Sequence, residues 1–286
     1  MMVTDNSPWA NYRQGWQTFL KHWKVALVVY VMNILLAFVA MGPLSKAVGR
    51  ALEYSPLQEQ FVSSFNHTLI MDFLHQYGYS IDLSINVIGS FMVLYLLWSI
   101  FYTGGYMGII KNRENQQTGQ HFWSGGARYF FKFMRLTLYT LAFIGAILFI
   151  LGIIFSMGGT SPLVLDSEEA LMGKLKYLVA IFIIIMFLIG VFKDVAKVKI
   201  ADTESRFIDK ANIAALRSVF NKHRLLLGFI NVLFLILGGL LYLLLKKITG
   251  NFLIPTILIS QLFLLYRIAY KFVRLASFYQ QEKIKC

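Results

Sequence analysis

Apolar residues fall along this chain in blocks, and several blocks reach the roughly 20 residues that a helix needs to cross about 30 Å of hydrocarbon. The blocks cover residues 25–42, 85–110, 136–157, 177–192, 225–245 and 252–266. Short polar stretches separate them. This pattern predicts an all-α fold: a polytopic transmembrane helical bundle of about six spans, arranged as three helical hairpins.

A second pattern precedes the hairpins. Trp9, Tyr12, Trp16, Phe19, Leu20 and Trp23 recur at helical spacing with Arg13, Lys21 and Lys24 around them. Residues 122–134 and 209–224 repeat the mixture of aromatic, apolar and basic positions. Rings with basic neighbours suit the headgroup layer, so each hairpin is expected to follow an amphipathic helix on the cytoplasmic face. The three junctions read Phe19-Leu20-Lys21, Phe130-Phe131-Lys132 and Phe220-Asn221-Lys222. They divide one integral membrane domain, 1–286, into possible repeats at 9–110, 122–200 and 209–280. Pro43 is expected to stop the first span. In residues 43–83, Leu57, Phe61, Phe65, Leu69, Phe73 and Tyr77 step by four, which predicts a helix that lies in the outer headgroup region or caps the bundle.

Composition agrees with a membrane protein: 57% of residues are hydrophobic and 14% are charged. The net charge of +13 is concentrated beside the spans, most of all in the segment from Lys193 to Arg224. Placing that segment and both termini in the cytoplasm puts 21 Lys and Arg inside and six outside, while Asp and Glu divide seven and seven. That is the bias of the positive-inside rule. With no basic domain apart from the spans, nucleic acid is not expected as a partner. Anionic membrane lipids are, through Arg13, Lys21, Arg128, Lys132, Arg217 and Lys222, and a protein partner or a second copy is possible. About 24 mixed polar residues before the first apolar block do not form a cleavable signal peptide, so the first span is expected to stay as an anchor.

The inventory for chemistry is thin. Cys286 is the one cysteine, so no disulfide within the chain and no cysteine metal site can form. His67 and Asp72 mimic the spacing of an acyltransferase pair without the usual Ser between them. His67 and His75 lie two helical turns apart, too far to share one ion. There is no Walker loop, no H-E-x-x-H and no ionisable pair deep in a span. No cofactor, catalytic residue or metal ligand is expected. Gly104 and Gly108 form a small-x-x-x-small pair suited to close helix packing, while Asn33, Asn231 and Gln261 serve as helix glue or line a groove.

Gly104-Gly105-Tyr106 near the end of the second span, Gly126-Ala127-Arg128-Tyr129-Phe130 and Leu265-Tyr266-Arg267 carry a resemblance. With the basic aromatic lead-in helix, the layout resembles uncharacterised bacterial six-span membrane proteins grouped with the membrane domain of glycerophosphoryl diester phosphodiesterases. The resemblance implies a bacterial cytoplasmic (inner) membrane location. It does not imply phosphodiesterase chemistry, which in those fusions belongs to a separate soluble domain absent here. The expectation is a non-enzymatic lipid- or partner-binding membrane component. A permease for an apolar or lipid-like substrate is the alternative, and an acyltransferase-like membrane enzyme ranks behind both.

Overall fold

The structure is a computed structural model that describes residues 7–53, 67–112, 117–157, 168–202, 208–249 and 252–283. Among these, eight helices and no strand occur: α1 (Pro8–Lys21), α2 (Lys24–Glu53), α3 (His67–Lys111), α4 (Thr118–Met157), α5 (Glu168–Asp202), α6 (Ile208–Val219), α7 (Lys222–Thr249) and α8 (Leu253–Lys283). Six of them, α2 to α5, α7 and α8, contain segments long and apolar enough to cross a membrane. The chain is a multi-pass, all-α membrane protein.

Local chemistry sets several helix ends. Ser7 caps α1 by accepting from the Ala10 N–H at 3.2 Å, and Pro8 follows at the first helical position, where its missing N–H costs nothing. A turn at His22–Trp23 divides α1 from α2, and Phe220–Asn221 divides α6 from α7. At the middle junction the helix does not break: α4 runs for 40 residues, about 60 Å, from Thr118 through the whole span. Three further elements are longer than the sequence pattern predicts. α2 continues through Pro43 to Glu53, since a proline removes one helical hydrogen bond and a membrane helix tolerates the loss. α5 carries on through 193–202, which read as loop, because Val195, Ala196, Val198, Ile200 and Ala201 have a core to enter. The helix expected over 57–77 begins, within the described residues, only at His67, where it is already part of α3.

The chain divides into two compact units, one of residues 27–99 and one of 1–26 with 100–286. In the smaller unit α2 exposes Leu27, Val31, Leu35 and Phe38, an apolar surface suited to lipid. In the larger unit burial is concentrated at one end. Ile189 to Ala201 of α5, Ile268 to Gln281 of α8 and Phe122 to Leu136 of α4 supply most of its buried side chains. Farther along the same helices Ile183, Ile184, Leu258, Leu262, Phe143 and Phe149 are exposed. The gradient has a physical cause: apolar side chains face hydrocarbon at no cost, whereas turns that reach beyond it must bury theirs against one another. This buried end is also the basic end.

One close helix crossing in this unit is glycine on glycine. A Cβ built on Gly125 of α4 would lie 2.7 Å from the Gly108 Cα and 2.9 Å from the Gly104 carbonyl oxygen of α3. Neither obstacle is a side chain that can rotate away. Gly125→Ala should therefore destabilise the protein by about 1–3 kcal/mol. Gly145→Ala, on an open face of the same helix, should be neutral or stabilising by up to about 1 kcal/mol. Thermal unfolding of the two variants in detergent checks the contrast; equal midpoints would contradict the close crossing.

Candidate functional site

Two features of the larger unit have the character of sites. The first is an ionic layer at the basic end between α5 and α8. Arg274 grips Asp194 with both faces of its fork: Nε lies 2.7 Å from Oδ2, and NH2 donates to Oδ1 at 3.1 Å. The Asp194 side chain is only 2% exposed. Lys193 and Lys197 follow one another by a single turn on α5, and Lys271 stands one turn before Arg274 on α8. Lys271 Nζ donates to the Tyr102 hydroxyl at 2.9 Å and sits 4.1 Å from the centre of that ring, a cation-π contact. Tyr102 in turn meets Tyr106, and Tyr106 meets Phe272, edge to face. An aromatic wall thus backs the layer.

Farther along, Glu282 is shared by Lys199, at 3.2 Å, and by the buried Arg224. Backbone carbonyls complete the arrangement: Ala201 oxygen accepts from Lys111 Nζ at 3.4 Å and from the Tyr129 hydroxyl at 3.5 Å. The α1–α2 turn joins through His22, whose Nδ1 lies 2.9 Å from Thr118 Oγ1. α1 itself packs on α8 at Gly15, where an added Cβ would meet the Val273 carbonyl oxygen at 2.8 Å. On the same helix Tyr12 stacks on Phe234 at 4.7 Å, and burial raises its hydroxyl pKa above the ordinary value.

The second feature is an apolar cleft of about 520 Å³ between α4, α5 and α6. Leu136, Phe143, Ile185, Leu188, Phe192 and Leu216 form most of its wall. Its polar atoms are few. The Thr140 hydroxyl is turned back onto the Leu136 carbonyl at 2.7 Å, and Asn212 Oδ1 is buried with no hydrogen-bond partner among the described residues. The lining of the cleft is almost wholly apolar.

The basic residues singled out in the sequence lie around these features rather than within one site. Arg13, Lys21, Arg128, Arg217 and Lys222 are exposed, and Lys132 is half-buried, one turn before Leu136 on the wall of the cleft. Large apolar side chains share their surfaces: Leu20 and Trp23 near Lys21, Phe131 near Arg128, Leu216 and Phe220 beside Arg217. Gly104 and Gly108 sit in the glycine crossing. Asn231 is fully buried and donates to the Leu227 carbonyl of its own helix at 2.8 Å. Gln261 is half-buried on α8, and Asn33, also buried, belongs to the smaller unit. None of these three amides lines the cleft. The side chains of His67, Asp72 and His75 lie outside the described residues. Among those described, no three His, Cys, Asp or Glu side chains gather as a metal site requires.

Asp194, Tyr102, Arg224 and Glu282 escape a reading by blocks, since the partner of each lies on another helix and nothing in the local sequence marks the pairing. A signal did exist on α8, where Arg267, Lys271 and Arg274 share a face and need a counter-charge. Comparison with protein families, with curated proteins and with solved structures finds no match to this chain.

Removing one member of a buried ion pair leaves the other uncompensated. Asp194→Asn should therefore destabilise the protein by about 3 kcal/mol or more, while Arg217→Gln on the exposed face should stay within about 0.5 kcal/mol of wild type. Thermal midpoints in detergent read both changes.

Proposed function

We propose that this protein is a non-enzymatic lipid-binding component of the bacterial cytoplasmic membrane, with both termini and the basic end in the cytoplasm. The observation that carries the reading is the apolar cleft between α4, α5 and α6, with Lys132 a turn beyond its wall and Arg217 on the adjoining helix. An acyl chain fills the cleft, and its phosphate meets the lysine and arginine at the headgroup level.

Both parts are needed. A chain moving from bilayer into cleft exchanges one hydrocarbon surroundings for another, so the hydrophobic effect gives little net attraction. Selection then falls to fit within the cleft and to charge at its mouth, each basic residue near the surface contributing about 1 kcal/mol toward an anionic lipid. The outward-facing Leu20, Trp23, Phe131 and Phe220, interleaved with Lys21, Arg128 and Lys222, support the same placement as amphipathic surfaces in the headgroup layer. The charge bias of the sequence supports the orientation.

Phosphatidylglycerol spin-labelled on its acyl chain tests this reading in nanodiscs. Wild-type protein should hold a motionally restricted population of label. Leu188→Trp, which fills the cleft, should abolish most of it, and Leu240→Trp on an exposed face of α7 should not. Lys132→Glu should remove the preference for phosphatidylglycerol over phosphatidylcholine. A restricted population untouched by Leu188→Trp would overturn the proposal.

A further inference from the structure

One polar group on the wall of the cleft between α4, α5 and α6 lacks the partner its chemistry requires. Asn212 stands there among Leu188, Leu216 and Val219, and its Oδ1 is buried with no hydrogen-bond partner among the described residues. A leucine at this position would match its neighbours in size and apolarity, whereas an amide oxygen without a donor destabilises the empty protein. The other polar side chains of the wall do not relieve it. Thr140 donates its proton to the Leu136 carbonyl at 2.7 Å, and Tyr139 is exposed. Water is a poor remedy too, since a buried water needs about three polar partners and this wall is almost wholly apolar.

The missing donor then belongs to the ligand, and α6 sets where on the ligand it lies. This helix turns Ile213, Leu216 and Arg217 outward, an amphipathic surface for the headgroup layer. Asn212 is one turn from Leu216 on it, so it meets a bound lipid near the head of the chain and not at its tail. An asparagine amide turns on a soft torsion, which lets Oδ1 follow a donor into the cleft. A diacyl phospholipid has no donor at that level, because both glycerol oxygens beside the chains are esterified. A phospholipid with one chain does, in the glycerol hydroxyl left free. The space agrees with one chain: at roughly 30 Å³ per methylene-sized group, the share of one water in the liquid, about 520 Å³ takes a single long acyl chain and not two.

We propose that the cleft selects a lysophospholipid, with Asn212 Oδ1 accepting a hydrogen bond from the free glycerol hydroxyl beside the acyl ester. Asn212 is the residue that sets this specificity. The selection rests on the acyl-chain reading of the cleft and narrows it to one class of lipid.

Displacement of spin-labelled phosphatidylglycerol from the full chain in nanodiscs tests this. The competitors are lysophosphatidylglycerol and its analogue without the free glycerol hydroxyl, alike in chain and headgroup. The lysolipid should displace the label at about fivefold lower concentration, roughly what one hydrogen bond contributes. Asn212→Leu should erase that difference, and Tyr139→Phe should preserve it. Without lipid, Asn212→Leu should match or exceed the wild-type thermal midpoint, since it removes an orphaned amide. Should it misfold, Asn212→Ala gives the same competition readout. Equal potency of the two competitors on wild type, or a preference that survives in Asn212→Leu, would overturn the proposal. If the label is still restricted and still sensitive to Leu188→Trp in those cases, the acyl-chain reading stands without it. Wild-type protein that restricts no such label defeats both.

Discussion

The two-pronged contact of Arg274 with Asp194 fixes the register of α5 against α8. A slip of one turn, about 5.4 Å, would leave a carboxylate and a guanidinium buried without partners, at a cost of several kcal/mol. Apolar packing alone has no such discrimination, because Val195, Val198, Val273 and Leu275 would find other apolar neighbours after a slip. With the register set, the neighbouring contacts follow in order along the same helices: Lys271 on Tyr102, Glu282 on Lys199 and Arg224, Ala201 oxygen on Lys111 and Tyr129. α1 then lies along α8 at Gly15.

This arrangement gives the protein two solvents and two ways of packing. At the basic end of the larger unit the helices bury aromatic and ionic groups as a water-soluble core does. Toward the other end the same helices present leucine, isoleucine and phenylalanine outward, where lipid replaces protein neighbours. The cleft between α4, α5 and α6 lies at the transition, bounded by span residues such as Phe143 and Ile185, by Asn212 of α6 and by Phe220 in the turn after it. A bound chain there would complete the packing that protein side chains leave open.

Much of the fold was legible in the sequence, because a 20-residue apolar block admits few alternatives in a chain with 57% hydrophobic residues. The six spans and the glycines of the second span follow from local pattern, whereas the amphipathic helix read over 209–224 ends at Val219 and the next begins at Lys222. Helix ends were less legible. Residues 193–202 look like a charged loop, yet they form the most buried part of α5, since tertiary partners on α8 decide their state. The two candidate sites were hardest to read for the same reason. Asp194 and Arg274 are 80 residues apart, and Leu136 and Leu216 line one cleft only after three helices have folded together. The basic residues of the three junctions flank these sites, while those of the ionic layer lie at the start of the basic 193–224 segment and on α8, where the sequence does not show which of them pair.

The central claim is that the membrane-facing cleft holds one lipid as part of the folded protein. Native mass spectrometry of protein released gently from its membrane, before and after delipidation, tests this most directly. A single anionic phospholipid retained in stoichiometric amount, and lost only under harsher treatment, is the predicted result. A protein that emerges bare, or with a variable number of lipids that wash away together, would contradict it.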